Sequence, residues 1–200
     1  MNPLVLAVDT TQELGSLALA RGGEILEETE IHEPTGFAHV LYGHLAALLE
    51  RHGVRPREID CFAAASGPGS FTGVRVGLAC IKGLAEAAGR PAVAVSNLQA
   101  LATFGAAPLR AVMLDARRGE IYGAVYDAAG RIVLPEVVAK LDSWLETLPA
   151  GAELVKGPRP LAAAVARIAT GSFRSGEASD PAALDANYVR RSDAELFWKD

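Results

Sequence analysis

Two hundred residues, half of them apolar, suffice for one domain or two small lobes, and a chain of this length buries ~70% of its unfolded surface. The formal charge of −5, from 19 basic and 24 acidic side chains, argues against a free-standing nucleic-acid binder, which needs clustered Lys and Arg to neutralise phosphates. Cys61 and Cys80 lie inside apolar runs without CxxC spacing, so buried reduced thiols suited to a cytoplasmic protein are expected in place of a disulfide framework.

Leu4 to Asp9 reads as a buried strand. It lacks a basic leader and is too short for a signal peptide, and no stretch is long and apolar enough to span a membrane. Gly15 to Ala20 reads as its neighbour, Arg21-Gly22-Gly23 as a hairpin turn, and Glu24 to Ile31, with Ile25, Glu27, Thr29 and Ile31 in alternation, as a half-exposed third strand. Three antiparallel strands therefore open the chain.

Phe37 to His52 is helical by pattern, with Leu41, Leu45, Leu48 and Leu49 in one apolar stripe and Gly53 as a C-cap. His39 and His44 on this helix stand about 500° apart in rotation and do not make a metal site; none is expected elsewhere in the chain.

An apolar run, Cys61 to Ala65, is followed by Ser66, then Gly67, Pro68, Gly69, Ser70, Phe71, Thr72 and Gly73, and then by a helical pattern from Val74 to Ala88. Gly67 and Gly69 flank Pro68, so the backbone turns sharply, and Ser70 or Thr72 is placed to cap the helix. Such a helix N-terminus suits an anion or a partner's carboxylate. The Walker loop is absent, because Val74 and Arg75 stand where Lys and Ser/Thr are needed, and Thr72 breaks the dinucleotide fingerprint. On spacing alone a tight structural turn and a ligand loop both remain open. Arg75, unfavourably close to a helix N-terminus, suggests a pairing role across an interface. Along the helix, Ala79, Gly83 and Ala87 form a flat stripe, and Val74, Val76, Leu78, Ile81, Leu84 and Ala85 occupy other faces. A helix apolar on several sides buries several sides: one on its own sheet, another on a helix of this chain or of another subunit.

Ala92 to Val95 is a short strand, Ser96 or Asn97 caps the next helix, and Phe104 to Pro108 reads as a hinge dividing lobes at 1–105 and 106–200. Arg110 to Asp115, Ile121 to Tyr126 and Ile132 to Val138 are strands. Leu141 to Leu148 is a helix, Leu154-Val155 a strand and Leu161 to Ala169 a helix. The halves thus repeat one plan, an antiparallel meander followed by helix-bearing units. The turn holding Asp115, Arg117, Arg118 and Glu120 is either a charged patch at the cleft between lobes or a partner's surface, or a set of internal salt bridges fixing the turn. The basic clusters at Arg51, Arg55 and Arg57, at Arg117 and Arg118, and at Arg190 and Arg191 are read as solvated surface charge.

The string GPGSFTGVRVG at 67–77, with Leu6 to Thr11 before it, Asp115 to Tyr122 after it and Tyr188-Val189-Arg190-Arg191 near the end, resembles the TsaB family, also called YeaZ, in order and spacing. GPGSFTG alone would also suit the catalytic paralogue, TsaD. The resemblance implies an α/β, actin-like (ASKHA) duplicated fold with a truncated second lobe. It places Asp9, Thr10 and Thr11 at that superfamily's first phosphate-binding turn. There Asp9 either orients a metal ion or a water at a phosphate or, as favoured here, simply ends its strand by bonding turn N–H groups. Gln12, Glu13 and Leu14 crowd the turn, so nucleotide is expected only in an assembled complex.

The same resemblance implies a non-catalytic scaffold that binds a TsaD-type subunit, joined by a TsaE-type ATPase, in threonylcarbamoylation of the anticodon-loop adenosine of tRNAs reading ANN codons. The helices at roughly 38–52 and 73–88 would form the interface through Leu41, Leu45, Leu48, Gly73, Arg75, Val76, Gly77, Ala79, Cys80, Gly83 and Ala87. The chain alone would form a homodimer, and tRNA would be reached only through the complex. The alternative is a small ATP-dependent phosphotransferase of the same superfamily, which requires Mg-dependent ATP binding by the isolated chain. A peptidase has no support, since neither HExxH nor GxSxG is present.

Overall fold

Alternation along the strands decides the layering. In the computed structural model, which describes residues 2–190, β1 (Leu4–Asp9), β2 (Leu14–Arg21), β3 (Glu24–His32), β4 (Cys61–Ala65) and β5 (Ala92–Val95) form one sheet in the order β3-β2-β1-β4-β5. The first three strands are antiparallel, as the opening pattern predicts, and β4 and β5 are added in parallel. Leu4, Leu6, Val8, Leu17, Leu19 and Phe62 turn to one face, where α1 (Leu41–Arg51) and α2 (Phe71–Ala88) cover them. Val5, Ala7, Ala18, Ala20, Ala63 and Ala65 turn to the other face, against α5 (Ala162–Ser175). That helix presents Ala162, Ala163, Ala166 and Ala169. Small side chains on both partners let helix and sheet approach closely.

A second sheet, β6 (Leu109–Arg117), β7 (Glu120–Asp127), β8 (Ile132–Lys140) and β9 (Glu153–Lys156), has the order β8-β7-β6-β9. It repeats the first sheet's antiparallel meander plus one parallel strand, and ends one strand short. This is the duplicated actin-like plan with a reduced second half. Val112, Leu114, Ala124 and Tyr126 face the same core as α5 and α3 (Asn97–Ala102), while Trp144 of α4 (Leu141–Leu145) covers the opposite face.

Within the second lobe expected at 106–200, residues 109–156 build the second sheet among the described residues. The chain then returns, laying α5 on the first sheet and pairing Ser179 with Ala92 of β5 through 2.9 and 3.0 Å backbone bonds. Helix ends also move. The helix expected from Val74 starts at Phe71 because Ser70 caps it, and the helix expected to stop at Ala169 runs on to Ser175, where Gly176 (φ 79°) closes it. The helix expected over Phe37–His52 is regular only over Leu41–Arg51. Among the described residues no helix is long and apolar enough to cross a membrane.

Candidate functional site

Where β1 ends, Asp9, Thr10 and Thr11 are buried and packed directly against the glycine motif. Thr10 Oγ1 donates to the Gly73 carbonyl (2.7 Å), and the Ser70 N–H donates to the Thr11 carbonyl (2.7 Å). A Cβ at Gly69 would collide with the Thr11 carbonyl, one at Gly73 with the Thr10 carbonyl, and one at Gly77 would come within 2.7 Å of Thr10 Oγ1. The glycines are therefore required by a close approach within the chain. Gly67 has φ 101°, and its N–H is held by Asn97 Oδ1 at 3.1 Å. Asn97 Nδ2 donates to the Pro68 carbonyl (3.1 Å) and to Thr11 Oγ1. Ser70 caps α2 by accepting from the Gly73 N–H at 3.2 Å. The N–H groups of Gly67, Ser70 and Gly73 are thus occupied by this chain's own acceptors.

Asp9 Oδ1 accepts from the Thr11 N–H (2.9 Å) and from Thr11 Oγ1 (2.6 Å), the bonding expected of an Asp that ends a strand. Its Oδ2 and the Oε1 of Gln12 are buried without a donor among the described residues. Burial pushes the Asp9 carboxyl up to about 6, against the opposing bonds from Thr11. Gln12 Nε2 reaches the Arg159 carbonyl at 3.2 Å, tying this turn to the segment that leaves the second sheet. The turn, the glycine motif, Phe37, His39 and Asp115 border a cleft of about 910 Å³.

The charged turn spans the two sheets. Asp115 Oδ1 accepts from the Arg117 N–H (2.8 Å), Arg117 reaches Glu13 at 3.4 Å, and Glu120 Oε2 takes Arg190 Nη2 at 2.6 Å. Lys140 Nζ donates to the Arg118 carbonyl at 3.2 Å. Arg117 and Arg118 have φ 63° and 56°, a region that non-glycine residues occupy sparsely. Sequence reasoning sees the charges and misses their partners, because Glu13 and Arg190 lie far away along the chain. Arg191 lies outside the described residues. In the basic cluster at 51–57, two arginines are paired: Arg51 Nη2 meets Glu27 Oε1 at 2.5 Å and Arg55 Nε meets Glu58 Oε2 at 3.0 Å.

The two helices expected to dock a partner divide differently from the expectation. Leu41, Leu45, Leu48, Gly73, Gly77 and Cys80 are buried within this chain, so they cannot form a docking surface. A leucine stripe at helical period faces the nearest apolar surface, here the chain's own sheet. Cys80 and Cys61 are buried free thiols, pushed up by that burial to about 11 and about 12. Val76 is half-buried, whereas Arg75, Ala79, Gly83 and Ala87 are exposed. Around Gly43 and Gly83 nothing stands within 4 Å of an added Cβ.

Sequence reading missed Tyr42, 59% exposed on α1, and Phe71, 52% exposed, as members of this open face. Tyr42 directly follows the leucine stripe's first member, so a helical wheel would have placed it outward. Arg75 lies 3.7 Å over the Phe71 ring and donates from Nε to the Tyr188 hydroxyl at 3.1 Å.

Comparison with known proteins agrees with this architecture. Residues 35–179 match the family model of TsaD, tRNA N6-adenosine threonylcarbamoyltransferase. The chain is 32% identical over 149 residues to the tRNA threonylcarbamoyladenosine biosynthesis protein TsaB of Bacillus subtilis, covering 72% of this chain and 65% of that one. It is 30% identical over 210 residues to an uncharacterized protein of Mycobacterium tuberculosis, covering 96% and 93% of the two chains. A solved Pseudomonas aeruginosa protein described as similar to peptidase YEAZ superposes with a TM-score of 0.82 at 28% identity, over 94% of this chain and 100% of that one. The alignment to the TsaB relatives spans from about half to just under two thirds of their length. With its glycine motif packed on the Asp9–Thr11 turn and its duplicated sheets, this chain belongs to the TsaB/YeaZ family.

Proposed function

We propose that this chain is a non-catalytic subunit of the machinery for threonylcarbamoyladenosine biosynthesis in tRNA, acting in the cytoplasm by docking a TsaD-type catalytic subunit. The observation that carries the reading is the open face shared by α1 and α2. Tyr42, Gly43, Arg75, Ala79, Gly83 and Ala87 are exposed there, with no atom near the two glycines. Small side chains flanked by Tyr and Arg suit a second pair of helices at close distance, since aromatic and Arg anchors dominate such contacts.

The related family model and the TsaB relatives support the pathway. A TsaE-type ATPase joins the pair, the same face pairs two copies when the partner is absent, and tRNA is engaged through the complex. The chain uses no cofactor of its own, and nucleotide enters only in the assembled complex.

The test is Gly83→Leu. A side chain at this open position leaves the monomer folded, because it meets nothing in the chain. It should abolish binding of the TsaD-type subunit in calorimetry and lower threonylcarbamoyl transfer by the reconstituted complex. Normal binding by this variant would refute the docking face.

A further inference from the structure

The segment after α5 carries Tyr188-Val189-Arg190, which the docking face does not account for. Leu184 is buried in the core beneath α2 and anchors the start of this segment. Three residues later, the Asn187 N–H donates to the Ser66 carbonyl at 2.8 Å. Asn187 Nδ2 donates to Glu136 Oε2 of β8 at 2.6 Å and to the Gly67 carbonyl at 3.4 Å. Tyr188 then lies on the open face of α2, its ring 5.9 Å from Phe71 and its hydroxyl holding Arg75. Arg190 ends the described chain on the second sheet, bonded to Glu120 at 2.6 Å and 5.9 Å over the Tyr122 ring.

We propose that residues 184–190 form a strap that couples occupancy of the α2 face to the setting of the second sheet against the first, with Glu120–Arg190 as its clasp. This inference rests on the docking reading above. Tyr188 is 48% exposed, and its hydroxyl is bonded to Arg75, so a partner that covers Arg75 or takes its guanidinium also covers or frees Tyr188. Two residues of extended chain span at most about 7 Å, so a displacement at Tyr188 is passed on to Arg190. The clasp can respond because it is a part-exposed ion pair, 26% and 32% exposed, that ties β7 to the segment after α5 at the rim of the apolar core shared by the two sheets. Glu120 follows Gly119 on the turn whose Arg117 faces Glu13 across the cleft, so the clasp also sets the mouth of that cleft. Coupling of this kind is reciprocal: loosening the clasp must weaken binding at α2, although neither clasp residue lies on the docking face.

Binding of the TsaD-type subunit to the full chain, measured by calorimetry, tests this with four variants: Arg190→Ala, Glu120→Ala, the double exchange Glu120→Arg with Arg190→Glu, and Gly83→Leu. Each single clasp variant should weaken binding by about five-fold or more, the lower end of usual coupling strengths, and the double exchange should restore it to within about two-fold. Hydrogen exchange at residues 118–122 of the free variants should rise in the singles and return in the exchange.

If Arg190→Ala and Glu120→Ala bind like the wild type while Gly83→Leu does not, the coupling is refuted and the docking face stands. If only Arg190→Ala weakens binding, Arg190 touches the partner directly and the coupling is refuted. If Gly83→Leu also binds normally, the docking reading falls and the coupling with it.

Discussion

Thr10 Oγ1 donates a 2.7 Å hydrogen bond to the carbonyl of Gly73, and the Thr10 carbonyl fills the space a Cβ at position 73 would need. The turn after β1 and the first turn of α2 are thus one packed unit. The two segments face each other directly.

Gly73→Ala should therefore destabilise the protein by about 1–3 kcal/mol, the cost of forcing a methyl into a close-packed site, despite alanine's better helix propensity. Gly83→Ala, made where no atom stands within 4 Å, is the control. It should stabilise by about 0.5–1 kcal/mol. Urea denaturation of both variants checks the contrast. Equal effects at the two positions would contradict the packed unit.

Asn97 holds the glycine motif from the side, through the Gly67 N–H, the Pro68 carbonyl and Thr11 Oγ1. Asn97→Ala leaves a buried N–H and two acceptors short of partners, and each such group costs about 1–3 kcal/mol. A loss of at least about 2 kcal/mol is expected in equilibrium unfolding. Hydrogen exchange at 66–70 should accelerate more than at the far edge of the sheet.

Asp9 and Glu27 pull the pH dependence in opposite directions. Burial raises the Asp9 carboxyl from 3.8 to about 6, so its contribution is fully present below about 3.8 and is lost as pH rises through about 6. The bond from Arg51, helped by Thr29, lowers Glu27 from 4.5 to about 2, so its contribution is present above about 4.5 and is lost as pH falls towards 2. Stability should peak on the acidic side of neutrality. Asp9→Asn keeps an acceptor for Thr11 and removes the charge, so it should gain up to about 3 kcal/mol at pH 8 and nothing at pH 3. Thermal melts across this range measure the difference, and a gain independent of pH would show that Asp9 is not the titrating group.

Titration of the isolated chain with ATP and Mg should give no heat at micromolar concentrations. The Gly67, Ser70 and Gly73 N–H groups are already bonded to Asn97, Thr11 and Ser70, and displacing them costs the motif its packing. Micromolar binding would revive the phosphotransferase alternative. Asp9→Ala would then be the first substitution to make.

The sequence by itself determined the elements and their order. Alternation over Glu24–Ile31, the glycine turn at 22–23, the cap candidates at 70 or 72 and at 96 or 97 and the repeated meander are local signals, carried by side-chain period and backbone preference, and β3, α2, α3 and the second sheet follow them. Only the tertiary structure decided which faces meet. Periodicity marks Leu41, Leu45 and Leu48 as apolar without saying whether their cover is this chain or another. The sheet lies beneath them, so Tyr42 and Gly43 are left outside. Spacing showed that glycines recur at 69, 73 and 77, but Thr10 and Thr11, whose backbone and Oγ1 require them, are some 60 residues away. The return of α5 to the first sheet and the Glu120–Arg190 clasp are likewise contacts between distant segments. Local patterns cannot encode such pairings singly, because they depend on how all the apolar faces are covered at once.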